Sequence, residues 1–127
     1  MILERASALS FPQMILVNLT TATICFLGSC YPALVGKDTP VGQFDVIPRK
    51  VLSPGYGGDV LQFAENDKAW FGIHRVWLLR PEEHREKRLK SSNPKERVIS
   101  KGCINVEPAV YEALKDCCSH DRLTIER

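Results

Sequence analysis

Apolar and polar positions alternate in short runs over most of this 127-residue chain, a period that favours strands over helices. Three runs, Met14 to Leu19, Thr23 to Leu27 and Tyr31 to Val35, are rich in β-branched and aromatic residues, and Gly28-Ser29 predicts a turn between the last two. After a turn over Gly36 to Pro40, Val41 to Pro48 alternates as one half-buried strand does. Ser53 to Asp59 is too rich in glycine to be anything but a loop, and Val60 to Phe63 and Ala69 to His74 follow as two more strands. Two helices come late. Arg80 to Lys90 carries Pro and acids at its start and bases at its end, as the helix macrodipole favours, and reads as a short exposed helix. Pro108 to Cys118 sets Val110, Leu114 and Cys117 or Cys118 at three-to-four spacing behind a first-turn proline. Leu123 to Ile125 closes the pattern as a strand. The expected fold class is mainly β, a β-sandwich or partly closed sheet with two short helices, in a single domain over residues 1–127.

Composition narrows the partners. Lys and Arg number 17 against 15 Asp and Glu, too even a balance for nucleic acid or an anionic membrane to be the main partner. The 44% apolar and 25% charged fractions are those of an ordinary globular protein with a sizeable core. Met14 to Leu27 comes nearest to a membrane span, but Asn18, Thr20, Thr21 and Thr23 interrupt it, so no span is expected. Met1 to Pro12 shows no readable export signal. Five cysteines leave at least one thiol unpaired under any intramolecular scheme, and Cys103 is the candidate. A disulfide from Cys25 or Cys30 to the Cys117-Cys118 pair is open if the protein works outside the cytosol. Cys117-Cys118-Ser119-His120 has ligand-type residues, yet adjacent cysteines seldom both reach one ion, and no metal or other cofactor is expected.

The candidate chemistry lies in Ser100-Lys101-Gly102-Cys103-Ile104-Asn105, a segment with small residues where backbone must approach something closely. A thiol attacks as thiolate, and a nearby imidazole or helix N-terminus makes that state accessible. His74 ends a strand in an apolar setting of Trp70, Phe71 and Ile73, and a Cys on a loop with a His at a strand end is what Cys–His acyl transfer requires. On residue types alone, a buried structural thiol and a satisfied polar histidine are the ordinary alternatives.

Ile73-His74 followed by Ser100-Lys101-Gly102-Cys103 resembles the signature of the L,D-transpeptidase catalytic (YkuD-like) family, in which a His precedes a Ser/Thr-x-Gly-Cys segment. Ile15 to Leu19 is similar to that family's opening strand, and Val35-Gly36-Lys37-Asp38-Thr39-Pro40-Val41-Gly42-Gln43-Phe44 to its Thr-Pro-x-Gly-x-Phe block. The resemblance implies a fold with a cleft where the His74 strand meets the Cys103 loop. It implies Cys103 as nucleophile and His74 as general base and acid, with Ser100 and Gly102 along the oxyanion site and the Arg75 backbone carbonyl orienting the histidine. Lys101 and Asn105 are the expected substrate-binding residues; the family often has Gly where Arg75 stands and Arg where Asn105 stands. The Arg75 side chain would add a cation able to meet a stem-peptide carboxylate. A side chain at position 102 would crowd the substrate. His74 and Cys103 are further apart than is usual in the family, and the excess coincides with the charged segment at about 80–92, expected to be a lid or rim beside the cleft. Peptidoglycan stem peptides are the implied substrate, carbapenem-type β-lactams the implied covalent inhibitors, and the cell envelope the implied location. Two alternatives stay open: an L,D-carboxypeptidase or endopeptidase using water as acceptor, and a non-catalytic wall-binding module.

Overall fold

The computed structural model describes residues 14–127, so the reading of Met1 to Pro12 lies outside the described residues. Its strands form two main sheets. Met14–Asn18 (β1), Thr23–Phe26 (β2), Ser29–Pro32 (β3), Gly42–Asp45 (β5) and Arg122–Glu126 (β11) make a five-stranded sheet in the order β3-β2-β1-β11-β5. Ile47–Lys50 (β6), Asp59–Glu65 (β7), Trp70–Arg75 (β8) and Ile104–Val106 (β10) make a four-stranded sheet in the order β10-β8-β7-β6. A two-residue strand, Val35–Gly36 (β4), pairs with Val98–Ser100 (β9). The helices are Arg85–Leu89 (α1) and Pro108–Cys118 (α2). The mainly β class with two short helices is the architecture expected.

Alternation decides which face each strand buries. Along β1, Ile15 and Val17 are fully buried while Met14 and Leu16 face outward, and β11 does the same with Leu123 and Ile125. These side chains meet Leu61, Ile73, Ile104 and Val106 of the other sheet in one apolar core, which α2 covers with Tyr111, Leu114 and Cys118. Each fully buried aliphatic side chain contributes about 1.5–3 kcal/mol relative to an exposed one, which is why the register of both sheets is so narrowly specified.

Three expected elements are divided. The strand expected over Tyr31 to Val35 ends at Pro32 in β3, and Val35 begins β4. The single strand expected over Val41 to Pro48 is two, because Val46 is buried and its amide bonds to the Asp121 carbonyl; the chain passes there from the edge of one sheet to the edge of the other. The helix expected over Arg80 to Lys90 is a 3₁₀ turn, Pro81–Glu83, followed by α1, with His84 between them in the left-handed region at φ 53°. That break turns the segment inward: Leu89 is buried with Leu34, Val76 and Ile99, so the charged insertion is docked and not fully exposed. Arg97 anchors its far end. It is 5% exposed, and its guanidinium donates to the carbonyls of Ala22, Thr21 and Ser91, which satisfies a cation that burial would otherwise penalise.

The cysteines pair as neighbours. Cys25 bonds to Cys30, directly opposite it on the β2–β3 hairpin, and Cys117 to Cys118, so the bridge between these two pairs considered from the sequence does not form. Cys103 is the free thiol. Among the described residues no helix is long and apolar enough to cross a membrane, and no cluster of His, Cys, Asp or Glu is placed to hold a metal ion.

Candidate active site

Parallel pairing of β8 with β10 brings the two candidate residues together: Ile73 lies opposite Ile104 and His74 opposite Asn105, so Cys103 enters the sheet beside the His74 strand. Both side chains line one cleft of about 600 Å³, together with Tyr56, Trp70, Trp77, Ser100, Lys101 and Gly102. A second hollow of about 540 Å³ lies on the insertion, between His84, Arg88 and Glu96, and contains neither residue of the pair.

His74 is 2% exposed, and its Nδ1 lies 2.7 Å from the carbonyl oxygen of Arg75. An accepting carbonyl there requires the proton on Nδ1, which leaves Nε2 with a lone pair as the proton acceptor. Tyr56, from the glycine-rich loop, packs edge-on at 4.8 Å between ring centroids and 88°, fixing the imidazole plane. Burial pushes the His74 pKa down to about 4; the bond to Arg75 works the other way, and the Arg85 charge lowers it further. Burial pushes the Cys103 thiol up, against a backbone hydrogen bond from Gly72 and the Arg85 charge. At neutral pH the pair is therefore thiol and neutral imidazole, and ionising the thiol needs proton transfer to the histidine.

The titration of His74 sets a stability expectation. Between pH 6.5 and about 4 the unfolded chain binds a proton at this histidine that the native state refuses, so stability present above pH 6.5 is lost as pH falls through that window, by up to about 3 kcal/mol. Urea midpoints at pH 7 and pH 4.5 should drop further in the wild type than in His74→Gln; equal drops would mean that this histidine is not held neutral.

The backbone around Cys103 is held from several sides. Ser100 Oγ donates to the Cys103 carbonyl at 2.5 Å, so it braces the loop that bears the thiol. The buried Thr39 hydroxyl donates to the Gly102 carbonyl at 2.9 Å and accepts from the Gly36 amide at 2.9 Å, while the Asp38 amide donates to the Lys101 carbonyl at 3.1 Å. A Cβ at Gly102 would run into the ring of Phe71, which lines the same cleft.

Two expected roles need restating, and a third does not. Lys101 is exposed on the cleft rim, where a substrate could reach it. Asn105 is fully buried and does not line the cleft; its Oδ1 accepts from the Trp77 amide and from Arg85, so it cannot contact substrate directly. The Arg75 carbonyl faces His74, but its guanidinium is committed elsewhere, to Asp59 at 2.7 Å and Glu112 at 2.6 Å, and sits over the Tyr111 ring. It is not the free cation expected. Sequence reasoning passed over Tyr56, Thr39 and Arg85. A tyrosine set among three glycines was the signal for the first, and the Thr-Pro block for the second.

No family model matches the sequence, and no curated protein matches it. Solved structures do. The chain is similar to L,D-transpeptidase 3 from Mycobacterium tuberculosis, with TM-score 0.65 and 12% identity over 91% of this chain and 61% of that one. The same protein in complex with a faropenem-derived adduct gives TM-score 0.63 and 13% identity, over 91% and 60%. An L,D-transpeptidase from Stackebrandtia nassauensis gives TM-score 0.58 and 15% identity, over 91% and 56%. The chain thus spans about three fifths of the length of the solved structures it matches, and what it shares with them is the fold.

Proposed function

From the L,D-transpeptidase fold that this chain shares with those structures, we propose that it is a cysteine-dependent L,D-transpeptidase acting on peptidoglycan stem peptides through a thioester on Cys103, within a single catalytic domain. The observation that carries the reading is the cleft that a free thiol, just ahead of β10, and a tautomer-fixed, neutral imidazole, on the parallel neighbour β8, line together.

The chemistry follows from that pair. Cys103 Sγ attacks the carbonyl carbon of the donor peptide while its proton passes to His74 Nε2. Charge developing on the attacked oxygen is met by backbone N–H groups of the Ser100 to Cys103 segment, whose carbonyls are tied back by Ser100, Thr39 and Asp38. As the tetrahedral intermediate collapses, the imidazolium returns its proton to the leaving amine of D-alanine, and the acyl group remains as a thioester. An acceptor amine from a neighbouring stem then attacks, losing its proton to His74, and the thiol is restored. Lys101 on the rim contributes to substrate binding, and carbapenem-type β-lactams would acylate the same sulfur; a protein of this fold forms a complex with an adduct derived from faropenem, another β-lactam. An enzyme acting on wall stems would work in the cell envelope, which is the proposed location.

Intact-protein mass spectrometry with a tetrapeptide stem donor tests this. A mass gain equal to the donor less D-alanine, mapped to the Cys103 peptide and discharged by a stem amine as cross-linked product, is the expected result. Folded protein that gains no mass on Cys103 would sink the proposal. Discharge only to free acid would make it a carboxypeptidase.

A further inference from the structure

The insertion delivers one side chain into the cleft. His84, in its left-handed conformation, breaks the segment so that Arg85 turns inward and lies with Cys103 and His74 along the same cleft. Its side chain is 12% exposed. Three contacts hold the guanidinium: Nε donates to Glu83 Oε1 at 2.8 Å, Nη1 donates to Asn105 Oδ1 at 3.0 Å, and the group lies over the Trp77 ring at 5.3 Å. Asn105 is completely buried on β10, opposite His74, so the anchor belongs to the same rigid strand pair as the catalytic candidates. Nη2 has no partner among the described residues. A guanidinium so largely removed from water, with N–H groups unused, is an incomplete arrangement that a planar anion completes, because its fork matches a carboxylate.

The cleft as a whole has the same bias. Lys68, Arg80, Arg85 and Lys101 line it against a single acid, Glu83. The Arg85 charge is also felt at the site itself, where it opposes the burial of the Cys103 thiol.

We propose that Arg85, positioned by Asn105, is a specificity-determining residue that selects acyl donors carrying a carboxylate near the attacked carbonyl. This rests on the reading of Cys103 as the nucleophile of the cleft. It gives the insertion a task, since residues 80–92 supply the anion-recognising group, and it accounts for the buried Asn105, whose amide oxygen holds that group in place.

Two small alkylating reagents test the proposal without any stem peptide. Iodoacetate and iodoacetamide both alkylate a thiolate with loss of iodide and differ chiefly in charge, so the ratio of their rates at Cys103, followed by peptide mapping, cancels any change in thiol acidity. Arg85→Gln should lower the iodoacetate-to-iodoacetamide ratio by roughly five- to tenfold at low salt, and Arg85→Lys should recover part of it. Glu83→Gln, which unpairs the guanidinium, should raise the ratio, and it answers the question alone if Arg85→Gln fails to fold. A ratio unmoved by the Arg85 change, or by the Glu83 change where only that variant folds, overturns the inference. The outcome is separable from the proposed activity: charge selection could stand in a protein that never turns over stem peptide, and stem-peptide acylation could persist with no charge selection.

Discussion

His74→Gln is expected to reduce stem-peptide acylation by roughly 10⁴-fold or more, and Cys103→Ala, which has no sulfur to acylate, to abolish it. The reason lies in the resting state of the pair. Burial keeps Cys103 a thiol and His74 a neutral imidazole, so neither is useful without the other: the sulfur must give up its proton as it attacks, and Nε2 is the acceptor that the Arg75 carbonyl prepares. Were the thiol already ionised by its surroundings, losing His74 would cost only the protonation of the leaving amine, about 10²-fold at the low end of general acid catalysis. The single-turnover acylation rate of His74→Gln decides this. A loss of only about 10²-fold would show that the thiol ionises without His74, contrary to the proposed mechanism. Because no proton is lost from the resting pair until the raised thiol pKa is reached, the acylation rate should also stay level from about pH 5 into the alkaline range, with its acid limb near pH 4.

Gly36→Ala is expected to destabilise the fold by about 3 kcal/mol and to slow acylation as well, though Gly36 touches neither reacting group. A Cβ there would stand 2.5 Å from the Lys101 carbonyl carbon and 2.6 Å from its oxygen, and closer still to the Ser100 carbonyl oxygen. These are backbone atoms of β9 and the Cys103 loop, which cannot swing aside as a flexible side chain would. Relief requires β4 and β9 to part. That would strain the Thr39 bond to the Gly102 carbonyl and the Asp38 bond to the Lys101 carbonyl, both of which hold the loop. Urea denaturation and the acylation rate, measured on one preparation, check both effects. A variant within 1 kcal/mol of wild type would mean that the two strands are more loosely apposed than their geometry implies.

Much of this architecture was legible because strand alternation and helix spacing are local signals. β1, β2, β7, β8, α2 and β11 fall where the patterns of Ile15 and Val17, Leu61 and Phe63, Leu114 and Cys118, and Leu123 and Ile125 put them. What escaped depends on tertiary context. Val41 to Pro48 keeps a strand period throughout, and only the second sheet, absent from any local window, decides that Val46 must turn inward and split it. β9 and β10 are three residues each, too short to carry a period. The charge run over 80–90 resembles a solvated helix face residue by residue; that Arg85 and Leu89 turn inward follows from the backbone sign at His84, which composition does not reveal. The site divides likewise. Cys103 and His74 stand out in the sequence through the resemblance to the family signature, whereas the burial of Asn105 and the commitment of the Arg75 guanidinium to Asp59 and Glu112 are properties of neighbours remote in sequence.

The pairing of β1 with β11 carries a consequence in time. Met14 to Asn18 lie parallel to Arg122 to Glu126, and β11 stands inside its sheet, between β1 and β5. On a ribosome the five-stranded sheet must therefore wait, with β1 and β5 exposing the edges that β11 will fill, until the chain has been made through residue 126. The strands that bring His74 and Cys103 together all lie upstream, so the pocket's two reactive side chains can become neighbours before the sheet that supports them is closed. Such a non-local closure makes for slow folding and a long exposure of unpaired edges. The interval in which a half-made molecule is vulnerable to sticking to its neighbours is thus set by the last strand and not by the site.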